Sequence, residues 1–183
     1  MKHTVRIIGG RYRGKKLHFP DIEGLRPTPD RVKETLFNWI MHEVRGARCL
    51  DAFAGSGALG FEAFSRGAKQ VVLVESSPQA YTNLKQIAAS FKANNIAIIN
   101  ARAEDYFQKA QEPFDIIFLD PPFAKNYLPS CLDILANSNL LIKGGLIYIE
   151  SESKQEISPL HWRERKFKQA GQVCYSLYEK ISG

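Results

Sequence analysis

The residues best suited to chemistry in this 183-residue chain lie in two stretches, Asp51-Ala52-Phe53-Ala54-Gly55-Ser56-Gly57-Ala58-Leu59-Gly60 and Asp120-Pro121-Pro122-Phe123. Gly55, Gly57 and Gly60 fit G-x-G-x-x-G after the apolar Cys49-Leu50. Glycines at this spacing let a chain turn sharply and bring backbone N–H groups close to a ligand. Taken alone they also suit any strand-to-helix turn. Asp51 narrows the reading, because a carboxylate aimed into the turn repels a pyrophosphate and attracts a cationic amino-acid head group. Glu75 ends the next apolar run, Val71-Val72-Leu73-Val74, twenty residues past the first glycine. An acid there can accept hydrogen bonds from both ribose hydroxyls. Together these residues predict a nucleoside-bearing cofactor.

The second stretch follows Phe114-Asp115-Ile116-Ile117-Phe118-Leu119, which is almost wholly apolar. Proline has a fixed φ and no N–H, so Pro121-Pro122 makes a stiff bend with free carbonyls. Asp120 and the Pro121 carbonyl can accept both hydrogens of one exocyclic amine, and Phe123 can stack on the base that carries it. Such a nitrogen is a poor nucleophile, since its lone pair is shared with the ring. Hydrogen bonds that hold its hydrogens out of plane localise that pair.

The elements that must position these residues alternate in type. Strands are expected at 47–51, 70–75, 96–100, 114–120 and 144–150, with helices at 57–66, 78–93, 103–110 and 127–137. Gly67 suits a helix stop, and Gly144-Gly145 a turn into Leu146-Ile147-Tyr148-Ile149. Alternation of this kind implies an α/β fold, a parallel sheet covered on both faces. The tail differs: 162–169 and 172–180 read as strands joined by so short a link that they must pair antiparallel. The locally basic Trp162–Lys168 reads as an exposed edge strand whose charges discourage aggregation. Ahead of the alternating part, Val5–Ile8 and Lys16–Phe19 suggest a hairpin around Gly9-Gly10 and Gly14. A helix is expected from Asp30 through Val44, with Val32, Leu36, Ile40 and Val44 packed on the main body. The expected division is a basic hairpin extension over 1–28 and a main domain over 29–183.

The formal net charge of +6 is unevenly placed. Lys2, Arg6, Arg11, Arg13, Lys15 and Lys16 fall within the first sixteen residues with no acid, and the remaining charges cancel. Such an arm suits RNA phosphates, because a polyanion rewards clustered Lys and Arg through counterion release, and Tyr12 among them suits an unstacked base. Arg26 and Arg31 flank the bend into the first helix, where they either touch RNA or brace that bend. No apolar run approaches the ~20 residues of a membrane span, and the start lacks a secretory-type apolar stretch. Cys49, Cys131 and Cys174 are widely spaced in apolar contexts, which predicts free buried thiols and a cytoplasmic location. His3, His18, His42 and His161 are scattered, so no metal is expected.

The glycine turn with Asp51 and Glu75 resembles the class I S-adenosylmethionine (SAM) methyltransferases. That resemblance implies Asp51 and the backbone of Ala54, Gly55, Ser56 and Gly57 for the methionine moiety, Glu75 for the ribose, and the turn after the next strand for adenine, where Ala103 can offer its backbone N–H. Ser76 and Glu104 are further expected cofactor contacts. Asp120, Pro121, Pro122 and Phe123 resemble the catalytic (Asp/Asn)-Pro-Pro-(Tyr/Phe) site of methyltransferases acting on amines conjugated to planar systems. Finer resemblance lies in Ile7–Gly14, in Leu25-Arg26-Pro27-Thr28-Pro29-Asp30-Arg31 through Asn38, in Tyr148-Ile149-Glu150-Ser151-Glu152 and in Ala170–Val173. These look like the RsmD family of bacterial 16S rRNA guanine-N2 methyltransferases. The resemblance implies a Rossmann-like domain with a seven-stranded mixed sheet, mostly parallel, closed by a C-terminal antiparallel hairpin. It also implies SAM as cofactor and N2 of a guanosine in small-subunit rRNA as substrate, presented on a partly assembled ribosomal particle. RNA contacts are expected from Arg11, Arg13, Lys15, Lys16, Arg26 and Arg31, by a monomer without metal or membrane. A DNA adenine-N6 methyltransferase shares the Asp-Pro-Pro-aromatic site but would carry a target-recognition insert. A protein glutamine methyltransferase would more often carry Asn at position 120. A dinucleotide oxidoreductase gives Asp120–Phe123 no role, and a silent RNA-binding module would keep the arm without cofactor affinity.

Overall fold

A computed structural model describes residues 3–122 and 126–183. Its main sheet holds seven strands: β3 (Arg48–Asp51), β4 (Gln70–Glu75), β5 (Ile96–Asn100), β6 (Phe114–Leu119), β7 (Leu141–Ser151), β8 (Trp162–Ala170) and β9 (Val173–Lys180). They lie in the order β5-β4-β3-β6-β7-β9-β8. The first five pair in parallel, and β9 enters antiparallel to both β7 and β8. Alternate residues of each central strand enter opposite layers. Cys49, Val71, Leu73, Ile116 and Phe118 pack with α1 (Asp30–Trp39), α2 (Ala58–Ser65) and α3 (Pro78–Ser90). Leu50, Val72, Val74, Ile117 and Leu119 pack with α4 (Ala103–Lys109) and α5 (Leu128–Ala136). Burial on both faces is why these strands read as unbroken apolar runs. β8 is the sheet's exposed, charge-rich edge, as its composition predicts.

Two boundaries differ from the sequence expectation. The helix expected to reach Val44 stops at Trp39, and turns tighten the chain beyond it, with Glu43 N donating to the Ile40 oxygen at 3.0 Å. Ile40 and Val44 are nonetheless buried, so the four-residue apolar repeat records packing and not continuous helix. Gly144-Gly145, expected as a turn before a strand, lie inside β7. Gly144 (φ +84°) falls where the register on β6 jumps from Phe114↔Leu141 to Ile116↔Leu146. The glycines absorb that irregularity within the strand.

The N-terminal hairpin, β1 (Thr4–Arg6) and β2 (Lys16–His18), is a separate two-stranded sheet. Its inward side, Val5, Ile7 and Leu17, is part of the layer containing α1–α3. At about 1.5–3 kcal/mol per fully buried aliphatic side chain, this anchors the segment firmly. Its tip caps the end of α2: Arg11 N donates to the Ser65 oxygen at 2.8 Å, and Tyr12 N to Ser65 Oγ at 2.9 Å. Gly10 (φ +80°) permits the approach, because a Cβ there would stand 2.0 Å from the Ser65 oxygen.

Candidate active site

β3 lies between β4 and β6, and the chain leaves it in opposite directions along the sheet. The crevice outside the carboxyl ends of strands at such a switch is where open α/β sheets bind ligands. Four acids stand at this rim: Asp51 ends β3, Glu75 ends β4, Asp120 follows β6, and Glu150 lies one residue from the end of β7. Asp51 is 2% exposed and its Oδ2 accepts from Gly60 N at 2.9 Å, which ties the carboxylate to the first turn of α2. Burial, with Glu75 and Glu150 nearby and only partly opposed by that bond, pushes its carboxyl up to about 7. Glu75 spans the glycine turn and the following loop, with Gly55 N on Oε1 at 2.9 Å and Ser77 N on Oε2 at 2.8 Å.

Asp120 is half-buried against Thr28 and Glu150. Thr28 Oγ1 is 3.5 Å from Asp120 Oδ2 and 3.3 Å from Glu150 Oε1, and Tyr148 Oη donates to Glu150 Oε1 at 2.7 Å. Burial raises the Asp120 carboxyl well above the usual range, and the Glu150 carboxylate raises it further by repulsion and by accepting its proton. Glu150 is raised by burial too, although Tyr148, Asp120 and Thr28 hydrogen bonds stabilise its charge. Among the described residues, none of the four rim acids forms an ion pair. Pro121 is buried, and no described residue donates to its carbonyl. Phe123 lies outside the described residues.

The expected cofactor residues converge on this rim. Ala54, Ser56 and Gly57 are buried, and the Gly57 φ of +85° lets the chain turn where a Cβ would strike the Phe61 ring at 2.4 Å. At Gly55 a Cβ would meet only Leu25 Cγ, at 4.0 Å, so this backbone borders open space. Ser76 is exposed beside Glu75, while Ala103 opens α4 and is buried. Glu104 is already engaged, accepting from Ser130 Oγ at 2.8 Å. An uncompensated carboxylate rim around a bare glycine turn fits a ligand bearing both a sulfonium and an ammonium, so the residues present fit SAM.

The expected RNA contacts divide into two groups. Arg26 and Arg31 are exposed on either side of Thr28, at the rim beside Asp120. Arg11, Arg13, Lys15 and Lys16 belong to the hairpin, whose tip sits at the far end of α2 and is not brought to the rim. Two arm residues are satisfied internally. Tyr12 stacks on Phe64 at 5.5 Å and meets Phe91 edge-on at 4.8 Å, so it is a packing residue and not a free platform for a base. Lys15 donates to Ser90 Oγ at 2.8 Å with its ammonium 4.0 Å from the Phe91 ring centre.

Thr28, Tyr148 and Glu150 had no individual role in the sequence reading. The available signal was that each apolar strand at the switch ends in an acid, β7 included. A second set, also unread, surrounds fully buried Glu62: Lys33 Nζ at 3.2 Å, Arg66 Nε at 2.8 Å, Ile8 N at 3.0 Å and Gly9 N at 2.9 Å. It fastens the extension to α1 and α2. The three cysteines are free and buried, as expected.

Comparison with known proteins places this arrangement. A family model described as conserved hypothetical protein 95 matches residues 5–179. Ribosomal RNA small subunit methyltransferase D of Escherichia coli K12 is 43% identical over 178 residues, covering 96% of this chain and 90% of the relative. The chain belongs to the RsmD family. The family member of Haemophilus influenzae, with the same description, is 44% identical over 183 residues, covering 97% of this chain and 95% of its own. The solved structure of yhhF from Escherichia coli superposes with a TM-score of 0.90 at 42% identity, covering 98% of this chain and 99% of that one. The Rossmann-like class I methyltransferase fold is thus the family's own.

Proposed function

We propose that this chain transfers the methyl group of SAM to the exocyclic N2 amine of a guanosine in small-subunit rRNA. The observation that carries this reading is the placement of Asp120, and of a Pro121 carbonyl that accepts from no described residue, beside the carboxylate rim and glycine turn at one switch point. When bound, SAM supplies a methyl group already activated on sulfonium sulfur. The chain's work is then alignment. Asp51 and the 54–57 backbone hold a cationic amino-acid head group, Glu75 accepts from ribose hydroxyls, and Asp120 with the Pro121 oxygen fixes two N–H bonds of the target amine. Holding two reactants in line can be worth about 7–11 kcal/mol. Phe123 supplies the stacking face in this reading, and Ala103 N–H the adenine contact. A guanine inside a duplex must be extruded to reach Asp120. Arg26 and Arg31 hold phosphates next to the extruded nucleotide, and Arg11, Arg13 and Lys16 hold phosphates further away, on a partly assembled particle that supplies its own shape.

The Asp120→Ala variant tests the assignment. Isothermal titration should show SAM affinity within a few-fold of wild type, while methyl transfer falls about a hundredfold or more. Near-normal turnover refutes the amine-holding role. Mass spectrometry of small-subunit rRNA from cells lacking the protein should show one missing guanine N2-methyl, and an unchanged methyl inventory refutes the substrate.

A further inference from the structure

Behind Asp120 lies a polar set to which neither the family description nor the methyl-transfer reading gives a part. Glu150 is 5% exposed, Thr28 5% and Tyr148 fully buried. These groups come from three separate parts of the fold: Thr28 from the segment leading into α1, Tyr148 and Glu150 from β7, and Asp120 from the end of β6. A strand residue with a carboxylate in this position faces a desolvation cost, and among the described residues no cation pairs with it to offset that cost. Its oxygen is instead held by the Tyr148 hydroxyl at 2.7 Å and the Thr28 hydroxyl at 3.3 Å, and its remaining neighbour is the Asp120 carboxyl. Two hydroxyl donors thus anchor one carboxylate so that it confronts the carboxyl that meets the amine.

We propose that Glu150 is a positioning residue that makes Asp120 the proton acceptor of the methylated amine, the two carboxyls holding the departing proton between them. This rests on the amine-methylation reading and deepens it. In the step, the amine nitrogen forms a bond to the methyl carbon, and the electrons of the C–S bond stay on sulfur, leaving a thioether and a cationic nitrogen with two hydrogens. One N–H bond then breaks, its electron pair returns to nitrogen, and the proton goes to Asp120 Oδ, hydrogen-bonded to Glu150. From there it leaves to water. Asp120 alone at the rim would be a weak base. A second carboxylate that shares the Thr28 hydroxyl with it strengthens it, as paired carboxyls bind their first proton tightly. The groups facing the pair are Asp51 from β3, Thr28 and Tyr148, with Tyr175 of β9 behind Tyr148. None of these is a cation, and the rim arginines Arg26 and Arg31 are exposed and form no ion pair with either carboxyl among the described residues, so the immediate surroundings also favour holding one proton. The raised titration of Asp120, from burial and from Glu150, agrees with this arrangement.

Two variants test it, with wild-type protein, E150Q and Y148F compared. Carboxyl-carbon NMR titration of the ligand-free protein reads Asp120 directly, and single-turnover methylation of small-subunit particles lacking the modification reads the pH profile. In E150Q the Asp120 titration should move down by at least about one pH unit, because a like charge and a proton-sharing partner are both gone. The acid limb of the rate profile should move down with it, and the plateau rate should fall about tenfold or more, with KM for SAM within about twofold. Y148F removes a donor to ionised Glu150, so the limb should move upward. An Asp120 titration unmoved in E150Q, or a limb that stays in place while the rate falls, overturns the proposal and leaves Glu150 a structural residue. If E150Q does not fold, a limb unmoved in Y148F overturns it equally. Mass spectrometry of the product nucleoside separates the two readings: a methyl on an atom other than guanine N2 refutes the substrate assignment, whatever the limb does.

Discussion

Asp51 shows how a single side chain joins fold and chemistry at this site. Its carboxyl is held by Gly60 N yet pushed up to about 7 from an ordinary 3.8 by burial and by neighbouring carboxylates. A carboxyl raised on folding binds more protons in the native than in the unfolded state between these two values. Its contribution to stability therefore falls as pH rises from about 4 to about 7, and stays low above that. The D51N variant keeps an oxygen acceptor for Gly60 N and loses the charge. Urea unfolding should show D51N gaining on wild type as pH rises through that window, and a pH-independent difference would contradict the assignment. The same charges make cation binding release protons, so affinity for SAM should rise from pH 5 to pH 8. Calorimetry in buffers of different ionisation enthalpy would register the released protons, and their absence would count against a cationic ligand at this rim. Asp51, Glu75 and Asp120 were legible in the sequence because each follows an apolar run and precedes a glycine or proline turn. Thr28, Tyr148 and Glu150 were not legible as a set. Their partnership depends on β6 and β7 being neighbours and on the segment before α1 crossing the strand ends, which no local pattern encodes.

Among the elements, the extension is the one whose reading changed most. Its basic residues read as an arm for RNA phosphates, and the alternation of Val5 and Ile7 across from Leu17 marks an inward side, which is buried. Glu62 then fixes the segment through Lys33, Arg66 and two backbone N–H groups. Burial lowers the Lys33 ammonium from its usual range despite the favourable Glu62 charge, so the pair is an anchor under electrostatic tension. Removing one partner leaves the other buried and unpaired. Glu62→Ala should lower unfolding free energy by about 3–5 kcal/mol. It should also speed hydrogen exchange at the Ile8 and Gly9 amides, and unchanged protection there would mean that the extension is held by apolar packing alone. The alternating strands and helices were legible from periodicity and glycine punctuation. The end of α1 and the early start of β7 were not, because packing kept Ile40 and Val44 buried in turns and absorbed Gly144 within a strand.

Across the whole molecule, the basic hairpin tip stands at the end of α2 away from the strand-end rim. Arg11, Arg13 and Lys16 are exposed and form no ion pair among the described residues, whereas Lys15 is partly occupied by Ser90 and Phe91. Replacing Arg11, Arg13 and Lys16 with Ala should make the salt dependence of rRNA binding shallower by about two to three in log–log slope. An unchanged slope would mean that these side chains only face solvent. Arg26→Ala with Arg31→Ala should act on methylation efficiency more than on that slope, since those residues flank Thr28. Helix α2 starts at the glycine turn, ends against the arm, and contains eight residues, so it is a strut of about 12 Å. That span exceeds three nucleotide steps at about 3.4 Å each. On the proposed reading the arm grips a different stretch of polynucleotide from the one that enters the crevice, and one helix would then act as a gauge whose length is set by its number of residues.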